Sequence, residues 1–339
     1  MGVRVLHLTD PSRPELATVD PNDVREVVVH LWYPAQRAPG AVRAPYFLDP
    51  LEAALNAQVQ GLPDDAFDGL RGWAVAGARM VRGRAARPLV LFSGGLQTPP
   101  AFYASVVADL ASRGLVVAVV AHPYSSGVSV LPGGRVAFSP DPFAGGSPEQ
   151  LHQTWVEDMA FVLDTLTRDA SALDAADHRG GAVMAMGHSF GGAAAASLAV
   201  RDTRVSAAAN LDGTFWGAAL TDAIATPFLM LTAERSVGEP TRDRVLAALQ
   251  APGYDLRLLG SAHNDVTDFG VLLPRLVELA PGLSPEVLEL GAIDATRALD
   301  LTTAYLASFV DRHLLGRRAP LLDRPQAFEE AVLTLVGSH

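Results

Sequence analysis

Short, almost unbroken apolar runs along this chain alternate with stretches in which apolar residues recur at helical spacing. Residues 88–93, 115–121, 182–186, 205–211, 227–232 and 254–259 read as strands buried on both faces. Residues 99–112, 148–168, 193–200 and 241–250 read as helices between them. This alternation predicts an α/β architecture, a mostly parallel sheet with helices on both faces. Ahead of it, the β-branched run 24–33 stops at Pro34 and predicts a strand near the sheet edge. A Pro/Ala/Gly-rich stretch covers 35–45, residues 49–82 read as helical and irregular, and helices are expected to dominate from Ser284 onward. The sequence shows no internal repeat, heptad seam or low-complexity linker. The best boundary, near 35–45, leaves too little chain before it for a domain. Residues 1–339 are therefore expected to form one domain, with 46–82 and 123–147 as pocket walls or lid.

Where the strand 182–186 meets the helix 193–200 the chain reads Gly187-His188-Ser189-Phe190-Gly191-Gly192. A serine on a tight turn between strand and helix, with glycines on either side, is the arrangement that lifts a nucleophile above a sheet edge. The helix N-terminus behind it favours developing negative charge. Composition narrows the chemistry further. There is no cysteine and no lysine, and all 26 basic residues are arginine. Thiolate metal sites, cysteine nucleophiles, Schiff bases and a Ser–Lys pair are thereby excluded, and the Arg and Ala bias reads as a GC-rich genome. No metal and no cofactor is expected. A net charge of −11 without a basic patch argues against nucleic acid as a partner. Hydrophobic residues make up 49% and mean hydropathy is +0.20, yet no apolar run approaches the roughly 20 residues of a membrane span. With no secretory h-region at the N-terminus, a cytoplasmic location is expected.

A serine nucleophile needs a base that is itself oriented by an acid, in the chain order Ser, acid, His. Of nine histidines, His263 satisfies that order, opening the loop after the strand 254–259. His188, inside the turn, is too constrained and reads as structural. His122 precedes the serine and is expected to line the site or cap its strand. His7, His30, His152, His178, His313 and His339 read as surface or packing residues. For the acid, two positions compete. Glu234 ends the strand 227–232, which slightly favours it; Asp212 ends 205–211 in Leu211-Asp212-Gly213, where a glycine turn would hold a carboxylate rigidly. Backbone N–H groups of Phe190 and of Leu96, in Gly94-Gly95-Leu96-Gln97, are the candidate oxyanion donors. Gln97, Tyr124, Phe215 and Trp216 are candidates for the substrate pocket, although Phe215 and Trp216 fit the core equally well.

Several motifs occur in a fixed order: Leu31-Trp32-Tyr33-Pro34-Ala35, Pro88 to Ser93, Ala111-Ser112-Arg113-Gly114, His122-Pro123-Tyr124, the Ser189 turn, Leu211-Asp212-Gly213, and His263 with Asp268-Phe269. The set resembles the plasma-type platelet-activating-factor acetylhydrolase and bacterial lipase-like branch of the α/β-hydrolases, over most of the chain. The resemblance implies an α/β-hydrolase fold and a serine esterase without a metal. It also implies that Asp212 is the acid, because the family's acid follows the serine by the spacing that separates Asp212 from Ser189. Leu96 and Phe190 match its oxyanion donors. Two departures stand out. Gly94 replaces the family's usual histidine after Phe-Ser, and Ala121 replaces an aspartate before His-Pro-Tyr. The expected function is hydrolysis of a small or lipid-like carboxylic ester through an acyl-enzyme. Lactone or amide hydrolysis, or acyl transfer, would use the same three residues, and a non-catalytic binding protein on this scaffold is the reading from a different class.

Overall fold

The computed structural model describes residues 1–36, 39–81, 86–168 and 181–337. The chain begins with strands β1 (Gly2–Pro14) and β2 (Val24–Tyr33), helix α1 (Pro50–Val59) and the two-residue strand β3 (Val75–Ala76). Then come β4 (Leu89–Ser93), α2 (Ala104–Ser112), β5 (Val116–Ala121), a small hairpin of β6 (Ser129–Leu131) and β7 (Arg135–Ala137), and α3 (Pro148–Arg168). The second half runs β8 (Val183–His188), α4 (Phe190–Arg201), β9 (Val205–Leu211), α5 (Ala218–Thr221), β10 (Phe228–Ala233), α6 (Pro240–Ala247), β11 (Pro252–Leu258), α7 (Phe269–Leu279), α8 (Ala295–His313) and β12 (Ala331–Gly337).

Ten strands form one sheet in the order β12-β11-β10-β9-β8-β4-β5-β2-β1-β3. The six from β11 to β5 are mutually parallel, as the alternating pattern predicts. Within each, successive residues serve opposite faces. Leu89 and Leu91 pack with α3 and α4, whereas Val90 and Phe92 pack with α2 and α8. Both faces are apolar because both are covered. Since β5 lies on one side of β4 and β8 on the other, the loops after β4 and β8 meet at a crevice beyond the carboxyl ends of the strands, where α/β sheets open a site.

The sheet is wider than the sequence reading expected. β1 pairs antiparallel outside β2, so β2 is two strands in from the edge. At the other end β12 pairs antiparallel with β11, where the reading expected helix. Neither strand carries a continuous apolar run, because each leaves part of one face to solvent. The predicted helix 99–112 begins as a 3₁₀ turn, Pro100–Tyr103, before α2. α4 starts at Phe190 rather than 193, directly after Ser189. Among the described residues no helix is long and apolar enough to cross a membrane.

A third apolar cluster sits apart from the sheet and joins α1 and residues 62–70 to α7 and residues 288–290. At its centre Phe102 stacks on Phe269 with ring centroids 4.2 Å apart, and Phe47 and Phe67 pack around it. Glu52 is buried in this region, and burial pushes its carboxyl up to about 8. The folded protein therefore holds a proton that the unfolded chain, titrating near 4.5, releases earlier. Its contribution is greatest below pH 4.5 and is lost as pH rises through 8. Glu52→Gln is accordingly expected to flatten the fall in melting temperature between pH 5 and 8, with a gain of several degrees at pH 8, read by scanning calorimetry across that range.

Candidate active site

The Ser189 turn is made by close approach of two backbones. A Cβ on Gly191 would overlap the carbonyl oxygens of Ser93 and Gly94, and one on Gly187 would overlap the Gly191 carbonyl. Only glycine at both positions lets β8, α4 and the loop after β4 pack this tightly. Ser189 itself sits at φ 55° and ψ −125°, a conformation that L-residues rarely adopt. Phe190 is then the first residue of α4, where N–H groups lack intrahelical acceptors.

Ser189 Oγ lies 2.9 Å from His263 Nε2, and His263 Nδ1 lies 2.7 Å from Asp212 Oδ2. An ionised carboxylate only accepts, so Nδ1 carries the hydrogen and Nε2 is free to accept from the Ser189 hydroxyl. Asp212 is buried and receives two further hydrogen bonds, from Ala233 N to Oδ1 and from Ser236 Oγ to Oδ2, both at 2.7 Å. Ser236 was not singled out from the sequence. Glu234, the competing acid, faces elsewhere and accepts the Gly260 N–H at 2.7 Å. The loop carrying His263 is pinned by Asp265, whose Oδ2 accepts the N–H groups of Ala262 and Gly291 at 2.7 and 2.8 Å. Asp212 and His263 line a cleft of about 410 Å³ together with Thr232, Arg235, Glu239 and Arg242.

The loop after β4 brings Gly95 against the serine, with an ideal Cβ there 3.3 Å from Ser189 Cβ. The N–H groups flanking Leu96 are engaged internally, Gly95 N with Tyr103 Oη at 2.8 Å and Gln97 N with Ser125 O at 2.8 Å. The Gln97 amide reaches Ser139 O at 2.9 Å, so the loop is tied to the 123–147 segment that contains Tyr124. Leu96 and Trp216 are half-buried and pack with Phe190, whose ring centroid is 5.8 Å from that of Trp216. Phe215 is different. It is 1% exposed and packs on Phe228 inside the core, so it offers no surface to a pocket.

His122 neither lines the site nor meets solvent. Its Nδ1 lies 2.8 Å from Asp158 Oδ2, its Nε2 3.0 Å from Ser93 Oγ, and its ring stacks on Trp155 at 4.0 Å. Ser93, His122 and Asp158 thus form a second Ser–His–Asp chain, all at 0% exposure. No substrate carbonyl can reach Ser93, and the chain anchors the end of β4 instead. Asp158 also binds Arg25 and Arg13, with Arg25 bridging to Glu15. Of the other histidines, His178 and His339 lie outside the described residues. Among the described residues no group of three or more His, Asp or Glu is arranged to hold a metal ion.

Four of the five non-glycine residues at positive φ among the described residues, Gln97, Tyr124, Ser189 and Asp212, were singled out from sequence for this site. Backbone strain gathers at working sites, where the surrounding structure enforces it.

In sequence and in fold the chain is similar to known esterases. The sequence profile of the family described as platelet-activating factor acetylhydrolase, isoform II, matches residues 22–130 and 166–318. A probable 1-alkyl-2-acetylglycerophosphocholine esterase of Arthroderma benhamiae is 28% identical over 263 residues, covering 71% of this chain and 64% of that protein. The chain therefore spans less than two thirds of that relative's length. A solved structure, a ferulic acid esterase from Streptomyces cinnamoneus, is 36% identical, with a TM-score of 0.81 over 98% of this chain and 95% of that one.

Proposed function

The chain belongs to the platelet-activating factor acetylhydrolase, isoform II, family, and on that premise we propose that it is a serine carboxylic-ester hydrolase working through an acyl-enzyme. The observation that carries the proposal is the continuous hydrogen-bonded line from Ser189 Oγ through His263 to Asp212. His263 Nε2 takes the Ser189 proton as Oγ attacks the ester carbonyl carbon. Asp212 keeps the Nδ1 hydrogen in place and balances the imidazolium. The Leu96 and Phe190 N–H groups bind the tetrahedral oxyanion, and the dipole of α4 points its positive end at the same position. Collapse expels the alkoxide, which receives the proton from His263. Water, deprotonated by the same nitrogen, then attacks the acyl-enzyme and releases the acid.

The substrate class follows from what the relatives share. Their names specify ester substrates as different as a 1-alkyl-2-acetylglycerophosphocholine and an ester of ferulic acid. The common element is the carboxylic ester, so this chain is assigned a small or lipid-like ester. Leu96, Gln97 and Trp216 are assigned to the acyl or alcohol side, with residues 46–81 and the 123–147 segment as walls of a single hydrolase domain, whereas the Tyr124 side chain opens on a separate cleft with Glu15 and Arg25.

Turnover of p-nitrophenyl esters from acetate to decanoate tests the reading, together with a fluorophosphonate probe whose attachment site is mapped by mass spectrometry. Hydrolysis with a preferred chain length and labelling at Ser189 are the expected results. A folded protein that hydrolyses none of them and takes no label would sink the proposal.

A further inference from the structure

We propose that Tyr103 and His188 form a hydrogen-bonded strut that locks the loop carrying Leu96 to the loop carrying His263, so that the oxyanion donor and the general base are set as one unit. The inference rests on the ester-hydrolase reading above and assigns positioning roles to two residues that touch no substrate.

Every hydrogen in the strut is fixed by chemistry. His188 Nε2 lies 2.9 Å from the backbone oxygen of His263. A carbonyl only accepts, so Nε2 carries a hydrogen. Burial, reinforced by the neighbouring His263 ring at 4.6 Å, holds the His188 imidazole well below its ordinary pKa, and the ring is neutral. Nδ1 is therefore a bare lone pair, and Tyr103 Oη, 2.9 Å away, donates to it. The same Oη accepts the Gly95 N–H at 2.8 Å. The chain runs in one direction: Gly95 N–H to Tyr103, Tyr103 O–H to His188, His188 N–H to the His263 carbonyl.

Both side chains are enclosed, Tyr103 at 0% and His188 at 1% exposure. A break therefore leaves buried polar groups unpaired rather than wetted, which is what makes such a chain stiff. Gly95 immediately precedes Leu96, and on the far side the Gln97 N–H is held by Ser125 O. The Leu96 peptide is thus clamped between two fixed neighbours, one referenced to the base loop. Imidazole suits the middle link because, while neutral, it accepts on one edge and donates on the other.

Tyr103→Phe deletes one oxygen and keeps the ring against Phe92, its neighbour at 4.8 Å. His188→Asn keeps an acceptor for Tyr103 but no longer reaches the His263 carbonyl. Each is expected to lower kcat roughly tenfold to a hundredfold with KM within about twofold, since small misplacements of reacting groups have effects of that size. The double variant should lose little more than the worse single one, because a strut broken at one link is already broken. Unchanged kcat in folded Tyr103→Phe, a loss confined to KM, or multiplicative losses in the double variant would each overturn the proposal. Imidazole ¹⁵N spectra give an answer independent of turnover. Wild type should show His188 as the neutral Nε2–H tautomer, and Tyr103→Phe should shift the His263 ring signals. The Nδ1–H tautomer, or His263 signals indifferent to Tyr103, would overturn the strut. Absence of ester turnover in wild type would instead count against the hydrolase reading, with the spectra still deciding the strut.

Discussion

Ser189→Ala is expected to fold as the parent does and to lose about six orders of magnitude in kcat on any ester the parent hydrolyses. The loss is large because in the proposed mechanism the serine and histidine act as a unit, and deleting either removes the whole covalent route. What survives comes from the oxyanion donors and substrate binding. Asp212→Asn should lose less, about four orders, since an amide at Oδ2 no longer holds the Nδ1 hydrogen of His263 but leaves Ser189 in place. Ser93→Ala is the discriminating control. Ser93 also hydrogen-bonds a histidine that is paired with an aspartate, but it lies where no substrate reaches, so its variant should keep most of the activity lost in Ser189→Ala. Turnover of one p-nitrophenyl ester by all three, each with a melting curve, checks the ranking. Residual activity above about a hundredth of the parent in Ser189→Ala would remove this serine from the mechanism, since the expected loss is far greater.

Asp158→Ala is expected to destabilise the protein by about 3–5 kcal/mol, the usual consequence of removing one partner from a buried ion pair. The Asp158 carboxylate meets Arg25 at 2.6 Å, Arg13 at 2.9 Å and His122 at 2.8 Å with no exposed surface. Without it the Arg25 guanidinium, whose side chain is 4% exposed, keeps only Glu15 as a counter-charge. Arg25 and His122 hold the Asp158 carboxyl well below the usual carboxylate range despite its burial. Its folded pKa is depressed, so its contribution is present above the unfolded value near 3.8 and is lost as pH falls through the lower one. Denaturant titrations at pH 7 should show the full loss, and the gap between parent and variant should narrow only below pH 4. A variant within about 1 kcal/mol of the parent at pH 7 would mean that the network contributes little.

The sequence made the central sheet legible because strands covered on both faces are apolar at nearly every position, and β4, β5, β8, β9 and β10 are of that kind. β1 and β12 escaped notice because their burial is broken, and β12 in addition pairs with β11 across two intervening helices. At the site, Ser189 announced itself through local constraints, two glycines and a strand-to-helix junction. The acid did not. Whether Asp212 or Glu234 faces His263 depends on how the ends of β9 and β10 lie beside the following loop, and a carboxylate at a strand end looks alike in both cases. The resemblance favoured Asp212, and the structure turns Glu234 toward Gly260 N instead. Tyr103 gave no local signal at all, since its partner His188 is 85 residues away. Phe215 and Trp216, adjacent and both aromatic, part company in their packing, one ring meeting Phe228 in the core and the other Phe190.

The left-handed residues around the site set a limit on how this protein can be improved. Gln97, Tyr124, Ser189 and Asp212 hold φ between 54° and 69°, each against a preference of about 1–3 kcal/mol. A search for thermostable variants that scores stability alone would be drawn to glycine at these four positions and would erase side chains of the site to relax its backbone. Hardening the molecule for use belongs along the outer strands β1 and β12, where no non-glycine residue is asked to hold a positive φ.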